Sequence, residues 1–273
     1  MAERPTGPSG PEYRAPAALC AAKILHLLAR VNGPLTLAEI VRSSSQSKSL
    51  VFRVLVELTR EGLVETRPDG GYTLGFQVLE LGAAYAAKND FGMTTSRQLR
   101  ELSEQSGQTV NLGVLRGMEI VYLLKYPGAS SYVTISHVGG RVPANCVALG
   151  KALLAELPDD QLDELIGPEP LVRMTPYSLT EPKDLRLDID RVRVDGYAVD
   201  RDQAVQGRSG LAVALASGAS ETVGISISID SALFDEHSPA LLEQLIGVRD
   251  RLRDQIAARH ALGEPVNIVT VPH

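Results

Sequence analysis

The stretch TLAEIVRSSSQSKSLVFRVLVELTREGLVETRPDGGYTL, residues 36–74, decides the fold of the first part of this chain. Thr36 suits the N-cap of a helix, and Glu39 three residues later completes the spacing of a capping box. This pattern predicts a short helix that ends at Val41, because the polar run 42–46 has no apolar period to continue it. A turn is therefore expected after the first helix.

A second helix and a hairpin follow this turn directly. Ser47 is the expected cap of the second helix, and Gly62 ends it as a residue that adopts positive φ. The apolar positions that share its buried face are Leu50, Val51, Val54, Leu55 and Leu58. Residues 63–67 alternate in polarity, the turn 69–71 reverses the chain, and 72–74 return as a second strand. Two helices followed by a two-stranded wing form a winged helix-turn-helix.

A winged helix-turn-helix most often binds DNA, with the second helix in the major groove. Hydroxyl and cationic side chains at that helix and its flanks can meet phosphates and base edges. The candidate DNA-binding residues are Thr36, Ser45, Ser47, Lys48, Ser49, Phe52, Arg53 and Arg67. The alternative is that Lys48 and Arg53 lie on an ordinary solvated helix face and that the domain makes protein contacts.

Length and charge indicate two folded parts of different character. The chain has 273 residues and 44% hydrophobic content, enough for two cores. Residues 17–75 hold seven Lys or Arg against five Asp or Glu, whereas residues 76–273 hold 18 against 26. The overall net charge of −6 does not exclude DNA, because phosphate binding needs a local patch. It does exclude a generally basic coating protein.

The domain boundaries follow from shifts in composition along the chain. A helix predicted at 76–92 connects the two domains. It is slim because of Ala83 and Ala84, and it packs either against a second subunit or against its own chain. The predicted segments are a tail at 1–16, the winged domain at 17–75, a linker helix at 76–92, a second domain at 93–260 and a tail at 261–273.

The second domain has strands in pairs with helices grouped between and after them, which predicts an α+β fold with one helix-covered sheet. The expected strands are 109–115, 119–126, 132–138, 197–200, 211–215 and 222–229. The expected helices are 94–105, 148–157, 159–166, 185–194 and 239–260.

Several functions are excluded by missing sequence signals. The chain has no nucleophile elbow, no zinc-protease motif, no P-loop and no dinucleotide fingerprint, and its five histidines lack ligand spacing. An enzyme, a cofactor and a metal are therefore not expected. No signal peptide and no long apolar run appears, which favours a cytoplasmic protein without membrane contact. Cys20 and Cys146 are expected to be two buried thiols.

Four segments carry a resemblance to a known family. They are QSKSLVFRVLVEL at 46–58, YTLG at 72–75, GRVPANCVALGKALLA at 140–155 and GYAVDRD at 196–202. In order and spacing, from about residue 17 to residue 260, the chain resembles the IclR family of bacterial transcription regulators. The resemblance implies a winged helix-turn-helix, a linker helix that helps form a dimer or tetramer, and a GAF-like domain that binds a small organic or aromatic acid.

The resemblance also implies which positions line the effector pocket. They are Asn145, Ala148, Leu149, Asp200, Arg208, Gly210, Ser226 and Ser228. The two serines have independent support, because strand residues two apart face the same side. Their hydroxyls then either share one pocket or face water on an open sheet. The helix start at Ala148 offers backbone N–H donors suited to a carboxylate.

Three features depart from the family pattern. Asp202-Gln203 stands where many members have a pair of acids after the GYAVD motif. Arg208 stands where an apolar residue is frequent, and it either binds a second carboxylate of the ligand or points to solvent. Gly210 replaces a bulkier residue and is expected to enlarge the pocket. Arg208 and Gly210 together favour an aromatic acid or a dicarboxylate.

The sequence therefore predicts a ligand-responsive transcription regulator. It is expected to bind double-stranded operator DNA as a homodimer or tetramer, with a small organic or aromatic acid modulating that binding. The alternative is a small-molecule sensor whose winged domain mediates protein contacts. Specific binding to genomic DNA separates the two hypotheses.

Overall fold

The computed structural model describes residues 15–31, 33–88, 93–129, 135–215 and 223–261. The chain divides into two compact units, Met1–Lys88 and Asn89–His273, called here the N-terminal and C-terminal units. The predicted tails lie almost entirely outside the described residues, although Pro16 already begins the first helix. Among the described residues, no helix combines the length and apolar character needed to cross a membrane.

The N-terminal unit is a small helical bundle with a hairpin. Its elements are α1 (Pro16–Arg30), α2 (Leu37–Ser44), α3 (Lys48–Arg60), β1 (Val64–Thr66), β2 (Tyr72–Leu74) and α4 (Phe76–Lys88). Cys20, Ile24 and Leu28 of α1 pack against Val51 and Leu55 of α3 in one apolar core. This core fixes the opposite side of α3 toward solvent.

The capping box forms as the sequence predicts. The Thr36 hydroxyl accepts from the Glu39 N–H at 3.3 Å, and Glu39 Oε2 accepts from the Thr36 N–H at 2.8 Å. The predicted end of α2 at Val41 is wrong, because the helix continues to Ser44. Ser44 is buried and its hydroxyl donates to the Val41 carbonyl at 3.3 Å, and Ser45 then ends the helix with a φ of 55°.

The wing is the predicted antiparallel hairpin. Val64 pairs with Leu74 and Thr66 pairs with Tyr72. Gly70 turns the chain with a φ of 80°, and the Arg67 N–H donates to the Gly71 carbonyl at 2.7 Å. The two helices and this hairpin confirm the helix-turn-helix fold of the N-terminal unit.

The C-terminal unit contains one six-stranded sheet and five helices among its described residues. Its elements are α5 (Met93–Ser106), β3 (Thr109–Arg116), β4 (Glu119–Tyr126), β5 (Arg141–Pro143), α6 (Ala148–Leu154), α7 (Asp159–Ile166), α8 (Pro182–Asp195), β6 (Ala198–Val205), β7 (Arg208–Leu215), β8 (Val223–Asp230) and α9 (Phe234–Ala261). The strand order is β5-β4-β3-β8-β7-β6 and every pairing is antiparallel.

Helices cover both faces of this sheet, and apolar residues pack against them on each face. In β7, Leu211 and Val213 pack in the core with α5 and α9, while Ala212 and Ala214 pack in the core with α6 and α8. Small residues on the second face let α6 lie close to the strands. The arrangement confirms the predicted α+β class.

Several predicted elements differ from the structure: α6 ends at Leu154 rather than at 157, α8 begins at Pro182 rather than at 185, and β7 begins at Arg208 rather than at 211. The strand predicted at 132–138 falls partly outside the described residues, and its described part, 135–138, forms no strand. The edge strand is β5 instead, which pairs with β4 after the turn at Gly139, whose φ is 79°. Strand β6 runs past the predicted end to Val205, and α9 begins at Phe234, whose side chain is buried, rather than at 239.

Candidate functional site

A polar cavity lies on the face of the sheet that α6 covers. Strands β3, β4, β6, β7 and β8 all contribute to its floor and walls. The lining residues are Asn111, Tyr122, Ile135, Ser136, Val147, Ala148, Leu149, Asp200, Ala204, Val205, Arg208, Ser209, Gly210, Ser226, Ile227 and Ser228. Its volume is about 60 Å³, and the empty space reaches about 510 Å³ when the open mouth is counted.

Seven of the eight sequence-predicted effector positions come together around this cavity: Ala148, Leu149, Asp200, Arg208, Gly210, Ser226 and Ser228. Asn145 does not line it. The Asn145 amide donates to the Val172 carbonyl at 2.8 Å and to the Leu179 carbonyl at 2.9 Å. Its amide therefore holds the loop before α8, and the role of the other seven in ligand binding stays a prediction.

The two serines share one side of β8, as their spacing requires. Ser226 and Ser228 line the cavity, while the side chains of Ile225, Ile227 and Ile229 pack in the core on the side of α9, and Ile227 also borders the cavity between the two serines. The serines alternate with these isoleucines because successive strand residues face opposite sides. A covered pocket, rather than an open wet sheet, therefore surrounds both hydroxyls.

Arg208 faces the cavity from β7. Its Nη2 donates to the Ser228 carbonyl at 3.1 Å and to Ser228 Oγ at 3.3 Å. Its Nε is buried and has no hydrogen-bond partner among the described residues. Burial lowers the pKa of the guanidinium, and the carboxylate of Asp230 opposes that shift. Arg208 thus places a positive charge and one unpaired N–H donor in a partly desolvated cavity.

Gly210 does not enlarge the pocket, contrary to the prediction from sequence. A Cβ on Gly210 would lie 2.4 Å from Asp200 Oδ2, so the Asp200 carboxylate already fills that space. The same oxygen accepts from the Ala148 N–H at 2.9 Å. The start of α6 is therefore capped by the protein's own carboxylate, and the predicted use of this N–H for a ligand carboxylate is wrong.

Burial controls the protonation of two groups at the cavity. Asp200 is only 8% exposed, and burial raises its pKa to about 6, although the hydrogen bond from Ala148 and the charge of Lys151 pull the pKa down. Burial raises the pKa of the Tyr122 phenol well above its usual range, and the nearby negative charge of Asp200 raises it further. The Tyr122 phenol therefore stays protonated and can donate a hydrogen bond.

Replacing Asp200 with Asn is expected to remove a pH-dependent loss of stability. Because the pKa of Asp200 rises from 3.8 unfolded to about 6 folded, the folded state holds more protons between these values. Stability contributed by the protonated carboxyl is therefore lost as pH rises from about 4 through 6. The stability of Asp200→Asn relative to wild type should rise across this window by about 3 kcal/mol, measured by urea unfolding.

The exposed Asp195→Asn variant in the same unit is the matched control. It should show no such rise relative to wild type. A stability difference between Asp200→Asn and wild type that does not change from pH 4 to pH 7 would contradict the assignment.

Several cavity residues escaped the sequence analysis. Asn111, Tyr122 and Ser136 lie on strands or turns that carried no motif. One usable signal was present, since Asn111 is a polar residue within the apolar run TVNLGVL and is 3% exposed. A polar side chain at an inward strand position needs a partner, which marks such a position as a candidate.

The predicted DNA-binding residues are all solvent-exposed on the N-terminal unit. Ser49, Phe52 and Arg53 lie on the side of α3 that faces away from the apolar core. The Ser47 hydroxyl accepts from the Leu50 N–H at 3.4 Å and so caps α3. Lys48 and Ser45 are exposed beside this cap, and their contacts with DNA stay a prediction.

The side chains of Thr36 and Arg53 have other local partners. The Thr36 hydroxyl donates to Glu39 Oε2 at 2.7 Å, so its donor is occupied within the capping box. The Arg53 Nε donates to the Ser49 carbonyl at 3.3 Å, which lays this side chain back along the helix. Arg67 lies in the exposed turn of the wing. Lys48, Arg53 and Arg67 are the cations among these residues, and the helix caps at Thr36 and Ser47 use none of their side chains.

The comparisons with known proteins agree with this arrangement. A helix-turn-helix unit followed by an α+β unit with a polar cavity has the domain order of ligand-responsive transcription regulators. Residues 20–68 match the IclR helix-turn-helix domain, and residues 83–252 match the bacterial transcriptional regulator IclR C-terminal domain. The chain belongs to the IclR family of bacterial transcriptional regulators.

Relatives and solved structures support the assignment over most of the chain. The HTH-type transcriptional regulator XynR of Escherichia coli is 29% identical over 248 residues, which cover 90% of this chain and 96% of that protein. An IclR regulator from Alicyclobacillus acidocaldarius has a TM-score of 0.78 and 26% identity, covering 89% of this chain and 100% of that structure. These relatives are regulators, in agreement with the prediction that the chain is not an enzyme.

One structural neighbour was solved with a small molecule. An IclR homologue from Microbacterium hydrocarbonoxydans, complexed with 4-hydroxybenzoate, has a TM-score of 0.76 and 20% identity. The match covers 89% of this chain and 99% of that structure. At this identity the likeness shows the shared fold.

Proposed function

We propose that a small organic acid binds in the cavity of the C-terminal unit and changes the affinity of the protein for operator DNA. The observation that carries the proposal is Arg208, a half-buried cation whose buried Nε is unused and which lines the cavity together with Ser226 and Ser228. A guanidinium in a partly dry site binds carboxylates through charge-assisted hydrogen bonds. The complex of a structural neighbour with 4-hydroxybenzoate, an acid, supports this chemistry.

The size of the cavity limits the ligand. Its 60 Å³ is less than half of the roughly 150 Å³ cavity that holds a benzene ring. The cavity opens to solvent through a mouth, and the empty space counted together with this mouth is about 510 Å³. A short acid fits the enclosed part, whereas an aromatic acid must extend into the mouth.

Helix α3 is the proposed DNA-contacting element. Its core-facing residues fix the orientation of the helix, and Ser49, Phe52 and Arg53 remain on the exposed face. Polar and cationic groups on such a face can reach phosphates and base edges in a major groove. The winged unit then positions this helix on the operator in the bacterial cytoplasm.

A homodimer or tetramer would couple the two sites. Two recognition helices must match two half-sites about one helical turn apart, so a change in their spacing changes the affinity for DNA. An acid that binds better to one subunit arrangement shifts the population toward it. Linkage then requires that DNA changes the affinity for the acid by the same factor.

Replacing Arg53 with Ala is expected to weaken operator binding about tenfold or more, because a recognition-helix arginine contributes roughly 1–3 kcal/mol. The measurement is a fluorescence anisotropy titration with DNA from upstream of the gene, at two salt concentrations and with random DNA as competitor. Affinity for the operator should fall with salt and should exceed the affinity for random DNA.

Arg30→Ala is the matched control, because Arg30 is an exposed arginine at the end of α1 in the same unit. Its effect should be less than about twofold, since a distant surface charge contributes little after screening. Equal effects of the two substitutions would reject Arg53 as a contact. Equal binding of operator and random DNA by the wild type would favour protein contacts for the winged unit.

Replacing Arg208 with Met is expected to lower the affinity for acids at least tenfold and leave operator binding unchanged. Methionine keeps most of the length of the side chain and removes its charge and donors. Isothermal titration of the full chain with succinate, benzoate and 4-hydroxybenzoate measures the loss against the wild type.

Arg201→Met provides the comparison for Arg208→Met. Arg201 lies on β6 outside the cavity, is 55% exposed, and pairs with Asp235 at 2.6 Å. Its substitution should leave acid binding within about twofold of wild type, as expected for a screened surface pair. Unchanged acid binding in Arg208→Met would place the carboxylate elsewhere.

A further inference from the structure

Asn111 carries a buried hydrogen-bond acceptor that the protein itself leaves unused. The residue is 3% exposed on the central strand β3, and its Oδ1 has no partner among the described residues. Its neighbours Val110 and Leu112 pack in the core on the side of α5 and α9, so Asn111 belongs to the cavity face. Native proteins rarely leave such an acceptor unsatisfied, because desolvation is then uncompensated.

A second unused group lies at another part of the same cavity. The Nε of Arg208 is a buried donor without a partner, and the same side chain is tied to Ser228 through Nη2. Asn111 lies directly opposite Ser226 in the sheet register, two residues from Ser228. Arg208 lies opposite Asp230 on β8, four residues beyond Ser226, so the two unused groups belong to residues that are two strands and four residues apart in the sheet.

One molecule with complementary ends satisfies both groups. A carboxylate accepts from Arg208, and an O–H group donates to Asn111 Oδ1 while its oxygen remains open to the adjacent Ser226 hydroxyl. A hydroxyl next to the carboxylate is too close to span the gap. A hydroxyl at the far end of a short chain or ring has the required separation.

We infer that the ligand of this cavity is a hydroxy acid whose hydroxyl lies several atoms from its carboxylate, and that Asn111 selects it. The inference rests on the proposed acid site and adds the chemistry of the second end. A site that hydrogen-bonds a substrate hydroxyl rejects the analogue that lacks it, because its own polar group is then left unpaired. Asn111 is therefore a specificity residue rather than a part of the sheet's packing.

The test titrates the full chain calorimetrically with matched acids. The pairs are benzoate with 4-hydroxybenzoate and pentanoate with 5-hydroxypentanoate, and 2-hydroxybenzoate and 4-methoxybenzoate complete the set. The wild type should bind the remote hydroxy acid of a pair at least tenfold more tightly than its parent. 2-Hydroxybenzoate and 4-methoxybenzoate should gain nothing over benzoate, because the first has its hydroxyl misplaced and the second has no O–H.

Asn111→Leu removes the acceptor and keeps the side-chain volume. The variant should lose the preference for the hydroxy acids, bind the parent acids at least as well as wild type, and melt at the same or a higher temperature. Gln161→Leu, which removes an exposed amide on α7 outside the cavity, is the control and should keep the preference.

The outcomes separate this inference from the proposed function. Equal binding of both members of each pair by the wild type, or a preference that survives in Asn111→Leu, overturns the role of Asn111 and leaves the acid site standing. Failure of every acid to bind overturns the acid site itself.

Discussion

Replacing Lys151 with Met is expected to lower the free energy of unfolding of the C-terminal unit by about 3–5 kcal/mol. Lys151 is 1% exposed within α6, and its Nζ donates to Asp188 at 2.6 Å, to Gln203 at 3.1 Å and to the Val199 carbonyl. A methionine fills the space and leaves all three acceptors without their cation. Because Val199 immediately precedes Asp200, the loss also reaches the wall of the cavity.

Urea unfolding followed by far-ultraviolet circular dichroism measures this effect, since the chain has no tryptophan. Lys183→Met, an exposed lysine on α8, should change stability by less than about 0.5 kcal/mol. Adding Asp188→Asn to Lys151→Met should recover part of the loss, because the uncompensated carboxylate is then removed. A loss below about 1 kcal/mol in the single variant would mean that the ion pair does not hold α6 to α8 and β6.

Replacing Gly150 with Ala is expected to destabilise the C-terminal unit by about 3 kcal/mol or more, at the upper end for overpacking. A Cβ on Gly150 would lie 2.1 Å from the Ala144 carbonyl oxygen and 2.4 Å from its Cα. These are backbone atoms of a tight 3-10 turn, Ala144–Cys146, so they cannot move as a flexible side chain can. The helix must shift away, and Ala148 and Leu149 at the cavity move with it.

Gly247→Ala is the matched substitution, because it also lies within a helix of the C-terminal unit. Its added Cβ meets only the end of the Arg251 side chain, at 3.4 Å. Alanine should stabilise this position by up to about 1 kcal/mol through helix propensity. Thermal and urea unfolding should therefore show opposite signs for the two variants. If Gly150→Ala is as stable as wild type, the close approach of α6 to the turn is not required.

The substitutions at Lys151 and Gly150 should affect acid binding as well as stability, because both residues lie on the helix that borders the cavity. Lys151 and Gly150 are neighbours on α6, and the first turn of that helix contributes Ala148 and Leu149 to the lining. A substitution that moves α6 should therefore change both stability and acid binding. Asn111→Leu should change binding alone, because it removes a polar atom that has no partner. Measuring both properties separates packing from recognition.

Local patterns were sufficient for the N-terminal unit. The capping box at Thr36 and Glu39, the apolar period of α3 and the turn at Gly70 each involve residues a few positions apart. Sequence spacing alone fixes such contacts, and it identified the helix-turn-helix and its hairpin. The end of α2 was misplaced because Ser44 is buried by the core, a tertiary effect that its polar sequence concealed.

The cavity could be predicted only in part. The alternation of serine and isoleucine in β8 placed both hydroxyls on one side of the strand, and the resemblance supplied the other positions. The sequence alone determined that this protein has a helix-turn-helix unit and an α+β unit, because periodicity and capping are local. Only the tertiary structure decided that Asp200 fills the space above Gly210 and that Asn111 and Arg208 keep unused hydrogen-bonding atoms. The place of Asn111 depends on strands β3 and β8, which pair across more than 100 residues of chain, and the Asp200 contact depends on a direct cross-strand pair with Gly210. No local sequence pattern records either contact.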